Sequence, residues 1–209
     1  LVRNFSETLE SQVIAVADLD EKRLRLVKAR YPAVEIVKDY RTLLANPKIH
    51  AIAIVTPVSS HFELAAQALA AGKHVFIEKP LTETAEQGQR LIDEAERRNL
   101  VLHVDHTFVY TGAVGKIHEL MKDGGLGEFY YYDSVRVNLG LFQRDVNVIW
   151  DLAVHDLSIL DYIVPGSPSA VSATGVLRAQ CDRPPPRQLA GAGKGETYPD
   201  RRQPQDDRV

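Results

Sequence analysis

The chain has 209 residues, with 25 Lys+Arg against 28 Asp+Glu and a formal net charge of −3. That balance, with no basic run, excludes a nucleic-acid footprint, and no apolar run approaches the roughly 18 residues of a membrane span. The one cysteine excludes an internal disulfide framework, so the expectation is a soluble, cytoplasmic protein with neither a nucleic-acid nor a membrane partner.

Taken in chain order, Val13–Ala17 (VIAVA) is a continuous apolar run of β-formers, which predicts a strand buried on both faces. Glu21–Arg30 predicts a helix that stops at Tyr31-Pro32, because the residue before proline avoids the helical region. Glu35–Val37 reads as a short strand and Tyr40–Ala45 as a short helix. Ala51–Val55 (AIAIV) is the clearest buried strand. Ser60 with Glu63 has the spacing of a capping box, which predicts a helix reaching Ala71 and stopping at Gly72. His74–Ile77 (HVFI) is the next strand. Thr84 with Gln87 repeats the capping signature ahead of a helix to about Arg98, with basic residues in its last turn. Val101–Asp105 (VLHVD) is a further strand. Strands alternating with helices of this length predict βαβ units, an α/β fold with a doubly wound parallel sheet.

The style changes after about Tyr110. A helix is predicted over Val114–Lys122, ending at Gly124-Gly125, and then a longer strand over Phe129–Leu139. In that strand Val135, Val137 and Leu139 alternate with Arg136 and Asn138, the period-two signature of a sheet with one wet face. A helix over Trp150–Val164 would turn an apolar face of Trp150, Val154, Leu157, Leu160 and Val164 inward. From Arg178 onward Pro184, Pro185, Pro186, Pro199 and Pro204 are interspersed with glycines and charges. Such a segment buries too little apolar area to offset its conformational entropy, and disorder is expected.

Several positions have the makings of a site. Asp18 directly follows the first strand, where an acid partners a cofactor ribose about 20 residues beyond a glycine-rich phosphate loop. Counting back places that loop ahead of Leu1, with Leu1–Leu9 as the helix leaving it; a solvated strand end or helix N-cap is the alternative. Thr56-Pro57 ends the Ala51–Val55 strand, and Glu78-Lys79-Pro80 ends the His74–Ile77 strand. Carboxyl ends of parallel strands are where open α/β sheets bind ligands. Asp151 and His155 are four apart on a predicted helix and so share a side. An aspartate beside a histidine suits a general base; half a metal site or a surface ion pair are the alternatives. His103, Asp105 and His106 cluster in sequence, but His106 points away from the other two in a strand, so no metal is expected there.

The order of these features resembles the Gfo/Idh/MocA family of NAD(P)-dependent sugar oxidoreductases. The resemblance rests on VIAVADLD, on AIAIVTPVSSHFELAAQALAAGKHVFIEKPL and on WDLAVHDLSIL, and it runs from Leu1 to about Val176. It implies a dinucleotide-binding Rossmann domain over 1–110, lacking its glycine-loop strand, and a partial α/β domain over 111–177 with a mostly antiparallel sheet. The tail would be 178–209. It implies Lys79 and His155 as the catalytic pair, Asp151 as a substrate-binding residue, and Thr56, Pro57, His61 and Glu78 along the cofactor. The substrate would be a sugar, with WDLAVHDLSIL closest to members acting on nucleotide-linked sugars, and the full-length parent a homo-oligomer. Asp18 favours NAD over NADP, since a 2′-phosphate would bring about two negative charges against it.

Two departures accompany the resemblance. In the strand order 3-2-1-4-5-6 the first strand belongs between Val13–Ala17 and Ala51–Val55, and its loss is expected to leave orphaned amides costing roughly 1–3 kcal/mol each. The tail after Leu177 does not read as the family's large sheet, and a shifted reading frame or an assembly fault near Leu177 is the expectation. A non-catalytic ligand sensor and a non-functional fragment are therefore the alternative readings of function; retention of both Lys79 and His155 favours the enzyme.

Overall fold

The computed structural model describes residues 1–136, 146–147, 149–164 and 166. A first helix, α1 (Val2–Glu7), precedes strand β1 (Ala15–Ala17). Helix α2 (Glu21–Arg30) starts where the Asp20 carboxylate accepts the Lys22 amide at 2.7 Å, and it ends at Tyr31, before the proline. Strand β2 (Glu35–Val37) then pairs with β1 in parallel, Val16 opposite Ile36. After α3 (Arg41–Ala45), strands β3 (Ala51–Ile54), β4 (His74–Ile77) and β5 (Leu102–Val104) form a second parallel ladder in the order β3-β4-β5. Helix α4 (His61–Ala70) joins β3 to β4, and α5 (Ala85–Arg98) joins β4 to β5.

The two ladders, β1-β2 and β3-β4-β5, are the flanking parts of the expected strand order, and β1 and β3 are not paired to each other. The core lies on one face of the larger ladder. Ile54, Val75 and Ile77 meet Ala65, Ala68 and Leu69 of α4 and Leu91 and Ala95 of α5. Alanines at the contact let α4 approach closely, which is why both are completely buried. On the opposite face Phe76 meets Phe5 of α1 edge-on at 5.4 Å and stacks on His103 at 5.3 Å. A strand covered on both faces needs no polar alternation, and the HVFI and AIAIV runs show none.

Helix ends follow local chemistry. At the end of α4 the Lys73 amide reaches the Ala68 carbonyl at 2.9 Å and the Gly72 amide the Leu69 carbonyl at 2.9 Å, with Gly72 at φ +74°. This Schellman turn needs a left-handed residue, which glycine supplies without strain. Asn99 takes the same role after α5, at φ 54°. The Thr84 hydroxyl accepts the Gln87 amide at 3.2 Å and caps α5. The capping box expected at Ser60 is not formed. Ser60 closes a 3₁₀ turn (Val58–Ser60), and its hydroxyl turns back to Thr56 Oγ1 at 2.7 Å and the Pro57 carbonyl at 2.8 Å.

Helix α6 (Gly112–Lys122) is capped by Asp123 and followed by Gly124 at φ +72°, and α7 (Val154–Ile163) follows a π-helical turn at Ile149–Ala153. Two expectations fail here. The described part of the Phe129–Leu139 strand, residues 129–136, forms no ladder with any described segment. Alternation alone does not make a ladder, which needs a second segment to satisfy its backbone groups, and none lies alongside among the described residues. Residues 137–139 and the tail from Arg178 lie outside the described residues. The apolar face expected over Trp150–Val164 is also rotated: Leu157 is 60% exposed, while His155 and Ile163 are buried. A π turn inserts a residue relative to the 3.6 period and shifts the phase of everything after it. Among the described residues, no helix is long and apolar enough to cross a membrane.

Candidate active site

The carboxyl ends of β3, β4 and β5 carry Thr56-Pro57, Glu78-Lys79-Pro80 and Asp105-His106. Parallel strands put all three steps in one layer. The π-helical turn docks on the second of them, where Trp150 Nε1 donates to the Thr82 carbonyl at 2.8 Å. Lys79 Nζ then donates to Asp151 Oδ1 at 2.7 Å and to the Asp151 carbonyl at 2.9 Å. Both side chains of this ion pair are about four-fifths buried. A lysine bonded to both a carboxylate and a carbonyl is held at a fixed point.

Of the roles open to Asp151, an ion pair is the one the structure shows. Asp151 faces Lys79, because the π turn breaks the four-residue stacking on which the pairing depended. His155 is 8% exposed, its Nδ1 is buried without a partner among the described residues, and the ring meets Phe108 edge-on at 4.7 Å. Burial, reinforced by the charges of Lys79, Arg136 and His106, pushes the imidazole below the ordinary histidine value; Asp156 works against this. His106 is also pushed down, chiefly by burial and then by His103. Its Nδ1 too is buried without a partner.

His61 is not exposed along a cofactor path. It is 1% exposed, with Nδ1 at 2.9 Å from the Pro80 carbonyl and Nε2 at 2.8 Å from the Thr56 carbonyl. It ties the loop after β3 to the loop after β4, so any influence on a ligand passes through those loops. Thr56 and Pro57 are exposed at the ladder edge, and Glu78 is half-buried, its carboxylate 3.3 Å from the Lys79 amide. Asp18 lies apart from this cluster, at the end of β1. Its Oδ1 accepts the Asp20 amide at 2.8 Å, and the cap of α2 is Asp20, not Asp18. The Arg23 guanidinium lies 3.8 Å from each of the two carboxylates.

A second group was not anticipated. Arg136 Nε and a terminal nitrogen donate to the two Asp156 oxygens at 3.1 and 2.9 Å, and Ser134 donates to Asp156 at 2.8 Å. The Arg136 guanidinium also sits 4.9 Å over the Phe108 ring. The Arg136 pairing holds the Asp156 carboxyl below its usual range. No spacing signals a pair twenty residues apart; the charges flanking VRV and VHD were the only trace. Among the described residues, no three His, Cys, Asp or Glu side chains are placed to hold a metal.

Residues 2–106 match the model of the oxidoreductase family with an NAD-binding Rossmann fold, and the chain belongs to this Gfo/Idh/MocA family. The chain is 36% identical over 129 residues to the dTDP-3,4-didehydro-2,6-dideoxy-alpha-D-glucose 3-reductase of Saccharopolyspora spinosa, covering 62% of this chain and 39% of that one. It is 33% identical to the UDP-N-acetylglucosamine 3-dehydrogenase of Acidithiobacillus ferrooxidans, over 79% of this chain and 51% of the relative. Among solved structures, a 3-ketoreductase of Actinomadura kijaniata in complex with NADP and TDP-benzene superposes with a TM-score of 0.54. It is 28% identical, with 59% of this chain and 38% of that one covered. The chain thus spans about half the length, or less, of the relatives it matches.

Proposed function

We propose that the protein oxidises a secondary alcohol of a sugar carried on a nucleotide, with NAD as the acceptor. The observation that carries this reading is the Lys79 ammonium, fixed at 2.7 Å from Asp151 at the carboxyl end of β4 with buried His155 on α7 beside it. The residues present fit a dinucleotide at both ends. The half-exposed Asp18 carboxylate at the end of β1 suits a ribose, and exposed Thr56-Pro57 at the end of β3 suits the nicotinamide side. When bound, the nicotinamide supplies a hydride acceptor.

His155 is the group that takes the hydroxyl proton, since an imidazole kept neutral at pH 7 has a lone pair to offer. Lys79 stabilises the negative charge developing on the substrate oxygen. Asp151 holds Lys79 and presents its second oxygen to the sugar hydroxyls. The division at about residue 110, with the second domain carrying substrate contacts and the homo-oligomer interface, belongs to the same proposal. Two relatives named for reactions at C3 of nucleotide-linked sugars support the substrate class.

The test is reduction of NAD by the purified protein against a panel of nucleotide-linked and free sugars. Turnover confined to free sugars would reject the substrate class. No turnover with any sugar, combined with tight NAD binding, would reject the enzyme in favour of a ligand sensor.

A further inference from the structure

The acid next to His155 in sequence is the obvious carboxylate to partner its ring, and the structure shows it occupied elsewhere. Both Asp156 oxygens are taken by Arg136 and one also by Ser134. The same guanidinium covers Phe108 at 4.9 Å, and Phe108 meets the His155 ring edge-on at 4.7 Å. One arginine therefore touches both neighbours of the histidine without bonding the histidine itself.

We propose that Arg136 is a positioning residue for His155: its fork holds the Asp156 carboxylate off the ring, and its guanidinium clamps Phe108 against it. This deepens, and rests on, the reading of His155 as the proton acceptor. The geometry has a definite consequence. A carboxylate bonded to the ring would raise its affinity for a proton, and a ring that is already protonated has no lone pair to offer. The ring is therefore kept in the form that can take a proton from a hydroxyl.

The charged and titratable groups around the ring are Lys79 after β4, His106 after β5, Arg136 from the segment before the site, and Asp156 on α7 itself. His118 of α6, packed on the same helix, bonds the Tyr162 carbonyl at its far end. Arg136 and Asp156 thus act on the ring with opposite signs, and this makes the inference testable without turnover.

The experiment is an NMR titration of the chain labelled at histidine, with the His155 signal identified by its loss in His155→Asn. Arg136→Gln removes the cation and frees the carboxylate, so the His155 midpoint rises by about half a pH unit or more. Asp156→Asn removes the carboxylate and leaves the cation, so the midpoint falls. Arg136→Lys keeps the charge and stays nearer the parent than Arg136→Gln. Shifts of the same sign in Arg136→Gln and Asp156→Asn, or none, would overturn the proposal. If Arg136→Gln does not fold, Asp156→Asn and Arg136→Lys decide the matter: an upward shift in Asp156→Asn defeats it. A protein with the opposed shifts but no dehydrogenase activity would sink the proposed function and leave this inference standing.

Discussion

Asp18 and Arg23 set the cofactor question at the scale of single residues. In the proposed function the carboxylate accepts a ribose hydroxyl, but Arg23 lies 3.8 Å away and is the group that would meet a 2′-phosphate instead. The account predicts that NAD binds at least tenfold tighter than NADP, and that Asp18→Asn narrows the ratio. Calorimetric titration of both cofactors against both proteins checks this, and a parent that prefers NADP would assign the pocket to Arg23. Placement at strand ends was legible here because it follows from chain order alone. The partners were not. Asp151 pairs with Lys79, and Asp156 meets an arginine twenty positions away. Side-chain pairing across elements depends on the phase of a helix, and one π turn was enough to change it.

Helix ends make the same point one level up. Ser60 and Thr84 carry the same signature, yet only Thr84 caps its helix. Thr84→Ala should cost about 1 kcal/mol of stability, the usual value of a lost cap, and Ser60→Ala clearly less. Urea unfolding of the two variants measures the difference, and equal losses would contradict the assignment. Gly72→Ala is a control at a position with open space around it, where only the φ of +74° is at fault. It should cost about 1 kcal/mol for that reason alone. The strands of the sheet were legible because buried β-formers come in uninterrupted runs. Residues 129–136 join no ladder among the described residues, since alternation is a property of one segment, whereas a ladder needs two.

For the molecule as a whole, acidification is the informative variable. His155 and His106 are held below 6.5 in the folded chain, so the unfolded chain binds protons that the folded chain refuses. Stability is then lost as the pH falls through 6.5 toward the folded values. Asp156, held below 3.8, acts in a separate window: its contribution is present above 3.8 and disappears below it. Thermal unfolding followed from about pH 7.5 to 5.5 should show a falling midpoint, flattened in His106→Asn. A midpoint that rises on acidification would mean that these rings gain charge on folding.

The same cluster of groups at the carboxyl ends of β3, β4 and β5 carries the central claim, that Lys79 and His155 perform dehydrogenation there. The most direct measurement pairs kcat with the NAD dissociation constant in Lys79→Met and in the parent. Charge stabilisation at a reacting oxygen is worth roughly 10²–10³ in kcat. Lys79→Met should therefore lose turnover by about that factor while its NAD dissociation constant changes less than about threefold. Turnover within a factor of about five of the parent would contradict the account, as would a loss explained wholly by weakened cofactor binding.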